Sequence, residues 1–236
     1  MADPNEVAVL VPAAGQGLRM GGTRKQFRRL GGRLLLVQTL LVFERHPAVG
    51  HLVVAVPELE VSDVSDRLQG EGLTKLTAVV SGGDSRQVSV RHALRAVPAP
   101  VEVVLVHDAV RPFLAPDAVQ SVVDATRAQG AAALAVPMAD TVRRGHDGTF
   151  GETVPRDDLY RMQTPQGFRR AWLERAHRAV ASAPEPVATD DVQLVQQSGH
   201  EVQIVEGSPR NFKITTPGDW QLAQQLWPHW ADAVDA

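Results

Sequence analysis

The sequence predicts an α/β fold in which a mostly parallel sheet is covered by helices on both faces. Short runs of β-branched and other apolar residues recur along the chain, and stretches with helical periodicity separate them. That rhythm is typical of βαβ units. The first four runs are continuously apolar, as expected for strands that are buried on both faces. The predicted strands cover residues 7–11, 52–56, 76–80, 101–106 and 132–136.

The length and composition indicate one globular domain. The chain has 236 residues and a mass of 25.5 kDa, which fits a single domain with an elaboration. Hydrophobic residues make up 44% of the chain and charged residues 22%, so a disordered or coiled-coil chain is excluded. The net charge of -3 gives no general attraction to nucleic acid or to an anionic membrane. We therefore expect residues 1–236 to form one domain that binds small anionic substrates.

The absence of cysteine excludes disulfides, cysteine-ligated metal sites and a thiol nucleophile. The segment before Val7 has no basic region, and the apolar run that follows is too short for a secretion signal. No apolar stretch is long enough to span a membrane. We expect a cytoplasmic protein whose partners are small molecules, with neither nucleic acid nor a membrane among them.

From about residue 140 to 163 the pattern changes to a polar, glycine-containing stretch with alternating segments. This pattern indicates an antiparallel excursion, which we interpret as a protruding β-arm inserted into the domain. An arm that cannot bury both faces on its own body needs a partner. The predicted fold is therefore a Rossmann-like α/β fold with a β-arm used in dimerisation. The predicted assembly is a homodimer in which the arm contacts the other subunit's site region.

The rest of the chain predicts two helices, two short strands and a terminal helix. The helices lie at residues 169–182 and after Thr189, where Thr-Asp-Asp is typical of a capped helix start. The strands lie near residues 202–205 and 213–215, and the last helix follows Pro217. Its packed face is expected to contain Trp220, Leu222, Leu226 and Trp230.

Ligands of open α/β sheets bind beyond the carboxyl ends of the strands, and loops 12–25, 81–86 and 107–112 occupy that position. The first loop is rich in glycine and directly follows a strand, so its backbone can present N–H groups to an anion. Arg19 and Lys25 add positive charge that can neutralise a triphosphate. If it stood alone, this loop would be interpreted as a glycine-rich turn with solvated basic residues.

The other two loops carry polar groups that suit a nucleotide. Gly83 and Ser89 could hold a flat base, although a turn followed by a helix N-cap explains the same segment. Asp108 follows an apolar strand and could hold Mg²⁺, which takes few protein oxygens and shares the phosphates of its nucleotide. The alternative is that Asp108 caps a helix and pairs with Arg111. We interpret His107 as structural packing.

Several short motifs stand in a fixed order between Pro12 and Asp219: PAAGxGxRM, GGxxRxxSV, HDAxRP, QTPQxF, TDD and FKITTPxD. This ordered set resembles the 2-C-methyl-D-erythritol 4-phosphate cytidylyltransferases of the non-mevalonate isoprenoid pathway. The resemblance implies that the chain converts CTP and 2-C-methyl-D-erythritol 4-phosphate to 4-diphosphocytidyl-2-C-methyl-D-erythritol and pyrophosphate. Mg²⁺ or another divalent cation is expected to accompany CTP, and Asp108 is its candidate ligand.

The resemblance also implies roles for individual residues. Arg19, Lys25 and Lys213 are the implied catalytic cations that face the triphosphate. The implied nucleotide-binding residues, several of them acting through the backbone, are Pro12, Ala13, Ala14, Gly15, Gly17, Gly83, Asp84, Ser89, Asp108 and Ala109. The implied substrate-binding residues are Asp108, Arg111, Thr141, Arg156, Thr189 and Lys213, with Thr141 and Arg156 supplied by the neighbouring subunit's arm. Asp190 and Asp191 are expected to cap a helix.

One departure from the family pattern lies beside the predicted catalytic lysine. The family commonly has proline before this lysine, whereas Arg24 stands there in this chain. The loop could close differently as a result, and Arg24 could share the triphosphate role.

Other functions remain open at the level of the sequence. The nearest alternative is a ribitol-5-phosphate cytidylyltransferase, because both acceptors are linear polyol phosphates that a motif set separates poorly. A dinucleotide-binding oxidoreductase fits less well, since Met20 replaces the third glycine of the dinucleotide fingerprint, and proline follows Val56 where a ribose-binding acid would be expected. The first loop is not a P-loop either, because GxxxxGK[ST] is absent. A catalytically silent nucleotide-binding module is disfavoured because Arg19, Lys25, Asp108 and Lys213 are all present.

Overall fold

The computed structural model describes residues 6–15, 24–181 and 188–235. Within these residues a sheet of seven strands forms the centre of the molecule. In spatial order the strands are β11 (Gln203–Glu206), β7 (Ala131–Pro137), β10 (Tyr160–Arg169), β6 (Val103–Val106), β1 (Val7–Pro12), β4 (Val49–Val56) and β5 (Leu76–Ser81). Neighbouring strands are parallel except β10, which runs antiparallel to β6 and β7.

Helices cover both faces of the sheet because successive residues of a buried strand point to opposite sides. In β1, Val7, Val9 and Val11 pack on one side, whereas Ala8 and Leu10 pack on the other. The first side holds α1 (Leu35–Glu44), α2 (Val61–Gln69) and α4 (Pro116–Gln129), and the second holds α3 (Arg86–Arg95), α5 (Arg170–Ala179) and α6 (Asp191–Gln197). The predicted α/β fold with a mostly parallel sheet between helices is confirmed.

The last helix, α7 (Pro217–Asp235), packs on a smaller apolar cluster that includes Leu30 and Phe113. Its inner face contains Trp220, Leu226, Trp227 and Trp230. The prediction that Leu222 lies on this face is wrong, because Leu222 is 45% exposed. Trp227 packs there instead, since it lies seven residues after Trp220 and so shares its helix face.

The described helices include none that has both the length and the apolar character needed to cross a membrane.

Two strands form a separate hairpin within the segment interpreted as a β-arm. They are β8 (Val142–His146) and β9 (Thr149–Val154), and they pair with each other but not with the central sheet. Phe150 in this hairpin is 87% exposed. Residues 160–163 belong to β10 of the central sheet, so the hairpin itself is shorter than the interval 140–163. Its use in dimerisation stays a prediction.

Two segments differ from the strands expected from the sequence. Residues 213–215 form no strand. They are joined to the loop after β6 by a hydrogen bond from Ile214 N–H to the carbonyl of Val110, at 3.0 Å. A short hairpin, β2 (Arg29–Leu30) and β3 (Arg33–Leu34), leads into α1. These segments have only two or three residues each, which is too few for a periodic apolar pattern to show whether a strand is present.

Gly130 ends α4 in the left-handed region, with a φ of 91°. Its N–H donates to the carbonyl of Thr126 at 2.7 Å, as is typical of a helix C-terminal glycine. A Cβ atom at this position would lie 2.3 Å from the indole ring of Trp172. Glycine is therefore required here both by the backbone conformation and by the close approach of a side chain.

We expect Gly130→Ala to destabilise the protein by about 2–4 kcal/mol, because backbone strain and overpacking against Trp172 add. Gly199→Ala is the matched control, since Gly199 also follows a helix with a φ of 85° but has open space around its Cβ position. The control should lose only about 1 kcal/mol from strain. Urea denaturation measures both losses, and equal losses would contradict the packing role of Gly130.

Candidate active site

The three predicted ligand loops come together at the carboxyl edge of the parallel strands, where they line a cavity of about 790 Å³. β1, β5 and β6 end at Pro12, Ser81 and Val106. Predicted site residues in the cavity wall are Pro12, Ala13, Ala14, Gly15, Lys25, Gly83, Asp84, Ser89, Asp108, Ala109 and Lys213. The size suits a small ligand and its polar contacts. Gly17 and Arg19 lie outside the described residues.

Gln26, which follows the glycine-rich loop, fixes the first residues of that loop. The Gln26 side-chain amide donates to the carbonyls of Ala13 and Gly15, at 2.7 and 3.0 Å. Ala13 N–H donates to the carbonyl of Ala55 on β4, at 2.7 Å. This N–H group continues the sheet, and the expected contact of the Ala13 backbone with the nucleotide stays a prediction. Gln26, which is 3% exposed, was not predicted as a site residue.

Lys25 begins a short 3₁₀ helix, Lys25–Phe27. The preceding Arg24 lines the cavity as well. Its guanidinium forms an ion pair with Glu60 in the turn that follows β4. Arg24 thus connects the end of the glycine-rich loop to the neighbouring strand end. To share the triphosphate role, Arg24 would have to give up this ion pair with Glu60.

Gly82 lets the second loop approach the first closely, and Gly83 lies against Val88 of α3. A Cβ atom on Gly82 would lie 2.4 Å from the Cβ of Ala14, so a larger residue would push the two loops apart. The Ser89 hydroxyl accepts from Gly83 N–H at 3.1 Å and donates to the carbonyl of Ser85 at 2.9 Å. Ser85 caps α3 by accepting from Val88 N–H. Ser89 therefore shapes the loop, and the expected N-cap is present.

Asp108 is the charged centre of the site. Its Oδ1 lies 3.4 Å from Nε of Arg86, and its Oδ2 lies 3.1 Å from both Nε of Arg111 and Nζ of Lys213. Burial alone would raise the pKa of Asp108, but the three cations outweigh it and hold the pKa far below its usual range. Asp108 is therefore an anion at every physiological pH.

These contacts do not fit Asp108 as a ligand of a divalent metal ion. Both carboxylate oxygens already face cations, which would repel a further positive charge. The described residues contain no cluster of three or more histidine, aspartate or glutamate side chains suited to a metal. The metal role predicted for Asp108 therefore lacks support, whereas the alternative pairing with Arg111 is present.

Arg111 contacts Asp108 and does not line the cavity. Its Nη1 donates to the carbonyl of Asn211 at 2.7 Å while Nε bonds Asp108. It is 9% exposed and does not belong to the cavity wall. Nε and Nη1 of Arg111 are thus engaged inside the protein, and its contact with the substrate stays a prediction.

His107 and Thr164 hold the backbone of Asp108 from behind. His107 Nε2 faces the carbonyl of Arg111 at 3.1 Å and must donate, so Nδ1 accepts from the Thr164 hydroxyl at 3.0 Å. Thr164 in turn accepts from Asp108 N–H at 3.1 Å. Burial lowers the pKa of His107 to about 4, which keeps the ring neutral. His107 is a structural residue, as expected.

Lys213 is placed by the start of α7. The Thr216 hydroxyl accepts from Asp219 N–H at 3.1 Å, and the Asp219 carboxylate accepts from Thr216 N–H at 2.8 Å. This reciprocal pair is a capping box. The Asp219 carboxylate also accepts from the N–H and the hydroxyl of Thr215 at 2.8 Å. The segment before α7 is fixed in this way, and Lys213 projects from it into the cavity wall.

Besides Arg111, three predicted substrate residues lie away from the cavity wall of this chain. Thr141 and Arg156 are exposed near the two ends of the β8–β9 hairpin, and Arg156 donates to the carbonyl of Ala139. Thr189 is exposed before α6, where its N–H donates to the Gln193 side chain at 3.0 Å. Thr141 and Arg156 were expected to serve a neighbouring subunit, and that expectation is open.

Two further residues of the site were missed by sequence reasoning. Arg86 lines the cavity and contacts both Asp108 and Asp191. Because it is the arginine of the GGxxRxxSV motif, that motif could have indicated it. Asp191 was interpreted as a helix cap, yet Asp190 is the N-cap of α6. Two consecutive acids at a helix start look alike in sequence, and only packing distinguishes them.

Comparison with known proteins places the chain in a family. A family model described as "IspD: 2-C-methyl-D-erythritol 4-phosphate cytidylyltransferase" matches residues 7–227. The 2-C-methyl-D-erythritol 4-phosphate cytidylyltransferase of Salinibacter ruber is 67% identical, over 97% of this chain and 96% of that protein. That of Geobacter metallireducens is 41% identical, over 92% and 96%.

A solved structure agrees with these matches. The crystal structure of 2-C-methyl-D-erythritol 4-phosphate cytidylyltransferase from Thermus thermophilus superposes with a TM-score of 0.77 at 37% identity, covering 94% of this chain and 98% of that chain. The dinucleotide-binding oxidoreductase and the ribitol-5-phosphate alternative are not favoured. From its ordered motifs, its fold and these matches, the chain belongs to the 2-C-methyl-D-erythritol 4-phosphate cytidylyltransferase family.

Proposed function

We propose that this chain transfers the cytidylyl group of CTP to 2-C-methyl-D-erythritol 4-phosphate, with release of pyrophosphate. The observation that carries the proposal is the placement of Lys25 and Lys213 in one cavity at the strand ends. Lysine occurs in the sequence at positions 25, 75 and 213 only. Two of the three therefore lie where a triphosphate would need positive charge.

The reaction requires positioning and charge neutralisation. A phosphate oxygen of the acceptor attacks the α-phosphorus of CTP in line and forms a new P–O bond. The bond from the α-phosphorus to the oxygen bridging to the β-phosphate breaks, and its electron pair leaves with pyrophosphate. A phosphate monoester loses its second proton near pH 6, so the nucleophile is already deprotonated at neutral pH. No general base is needed, which agrees with the neutral, buried His107.

Lys213 moves between two anions in this proposal. Its ammonium lies 3.1 Å from Oδ2 of Asp108 in the structure. A bound triphosphate offers a larger negative charge, and Lys213 turns to it while Arg86 and Arg111 keep Asp108 compensated. Lys25 in the cavity wall meets the charge that develops on the phosphates, and Arg19 is the third cation that the family resemblance implies for this role. The backbone of Ala14 and Gly15 and the Gly83–Asp84 turn bind the nucleotide.

We propose that Mg²⁺, or another divalent cation, comes with CTP and is held by the triphosphate oxygens. Magnesium commonly shares substrate phosphates and few protein ligands. The three cations around Asp108 argue against a direct contact between its carboxylate and the metal ion.

The acceptor end of the site is completed in a homodimer. Thr141 and Arg156 of the β8–β9 hairpin lie outside the cavity of their own chain, and we propose that they reach the acceptor phosphate bound to the partner subunit. Thr189 approaches the same phosphate from before α6. The cytoplasmic location expected from the sequence stays a prediction.

We expect the protein to release pyrophosphate from CTP with 2-C-methyl-D-erythritol 4-phosphate as acceptor, and much more slowly with ribitol 5-phosphate or with ATP, GTP or UTP. Lys25→Met and Lys213→Met should each lower kcat by about 10²–10³-fold, because an aimed cation stabilises charge that grows in the transition state. The KM for CTP should change less than kcat.

Lys75→Met is the control for loss of a lysine, since Lys75 bonds the carbonyl of His46 away from the cavity. It should keep normal turnover. Near-normal turnover in Lys25→Met or Lys213→Met would refute their assignment, and equal rates with ribitol 5-phosphate would refute the acceptor.

The shared site predicts complementation between two inactive variants. A mixed dimer of Lys25→Met and Arg156→Met subunits has one site with both changes and one site with neither. Random exchange in a 1:1 mixture should therefore restore about a quarter of wild-type activity. Steady-state assays after subunit exchange, with dimer mass checked by sedimentation at micromolar concentration, measure this. No recovery, or a monomer, would contradict the shared site.

A further inference from the structure

Arg86 joins the cavity to a buried acid behind it. It is the first residue of α3, and its guanidinium bridges two carboxylates. Nε lies 3.4 Å from Oδ1 of Asp108, and Nη1 lies 2.6 Å from Oδ2 of Asp191. The contact with Asp191 is the shorter of the two, so Asp191 fixes the position of the guanidinium more strongly than Asp108 does.

Asp191 is held on several sides by groups that do not line the cavity. It is 1% exposed, and His177 of α5, which is 2% exposed, contacts its Oδ1 through Nε2 at 2.8 Å. Its own N–H donates to the Gln166 side chain of β10 at 3.2 Å. Burial would raise the pKa of Asp191, but Arg86 and His177 outweigh it and lower the pKa. Asp191 is thus a fixed buried anion.

Helix capping does not explain this acid. Asp190 caps α6 by accepting from Gln193 N–H at 3.0 Å, so Asp191 is not needed for that role. A buried anion is retained at a free-energy cost unless its partners compensate it. The partner that compensates Asp191 most directly is an arginine whose other contact is the charged centre of the active site.

We propose that Asp191, supported by His177, is a positioning residue that orients Arg86 and through it Asp108. The inference rests on the proposed cytidylyltransferase function. With Asp191 in place, Arg86 has a counter-ion of its own and stays against Oδ1 of Asp108, so Asp108 remains compensated when Lys213 turns to the triphosphate. Without the charge of Asp191, Arg86 has Asp108 as its remaining carboxylate partner among the described residues, and both groups reorient.

Kinetics of single and double variants test the chain of contacts. Asp191→Asn should lower kcat at least tenfold with less than a threefold change in the KM for CTP. Arg86→Lys should lower kcat to a similar extent, since lysine keeps the charge but cannot bridge two carboxylates. The double variant Arg86→Lys/Asp191→Asn should then be no more than twofold slower than either single variant. Multiplied losses would mean that Asp191 acts without Arg86, and would overturn the proposal.

Val195→Ala is the matched control for damage to α6, because Val195 is a buried residue of the same helix that belongs to the apolar core. It should lower stability but keep kcat within twofold of the wild type. An equal kcat loss in Val195→Ala and Asp191→Asn would assign the effect to helix integrity and overturn the proposal. If Asp191→Asn does not fold, His177→Leu provides the second variant, with a kcat loss of about threefold that is absent in the Arg86→Lys background. An equal loss in both backgrounds would overturn it.

A measurement without substrates separates this inference from the proposed function. Asp108 and Asp191 share Arg86, so Asp108→Asn and Asp191→Asn should be coupled by at least threefold in the unfolding equilibrium constant. Urea denaturation of the two single variants and the double variant gives this coupling. Additive effects would overturn the inference even in an active enzyme. Coupling in a protein that releases no pyrophosphate from CTP would overturn the proposed function alone.

Discussion

The buried carboxylate of Asp108 is the group on which the site depends. A buried charge is tolerated only when partners compensate it, and here the partners come from three separate parts of the chain. Arg86 begins α3, Arg111 belongs to the loop after β6, and Lys213 precedes α7. One anion therefore brings three cations of distant sequence position to one end of the sheet. Without it, the three cations would repel each other.

The antiparallel strand β10 supports this centre from the side opposite the cavity. Thr164 accepts from the backbone N–H of Asp108, and Gln166 accepts from that of Asp191. Asn211 adds a contact to the carbonyl of Thr164 at 2.8 Å. A strand inserted between β6 and β7 thus fixes the two carboxylates that flank Arg86. This explains why the QTPQxF motif belongs to the functional pattern although it has no cation and no predicted ligand contact.

Much of this architecture was predictable from the sequence, because continuously apolar runs mark buried parallel strands and the sheet rule then locates the ligand loops. β10 was not predictable in the same way, since it has polar residues, Pro165 and a shift of register between Met162 and Gln166. The cations at Lys25 and Lys213 followed from motifs. The partners of Asp108 did not, because a carboxylate after a strand suits magnesium, capping or arginine equally until packing distinguishes them. Asp191 was misread for a related reason: its neighbour Asp190 already satisfies the capping signal.

In the proposed reaction, Lys213 leaves Asp108 for the triphosphate while Arg86 and Arg111 keep Asp108 in place. The most direct test is a crystal structure of the protein with CTP and magnesium. We expect the nucleotide in the cavity between the three strand-end loops, with Nζ of Lys213 on a phosphate oxygen and Asp108 still bonded to Arg86 and Arg111. A nucleotide bound elsewhere, or Lys213 still paired with Asp108 beside bound CTP, would contradict it.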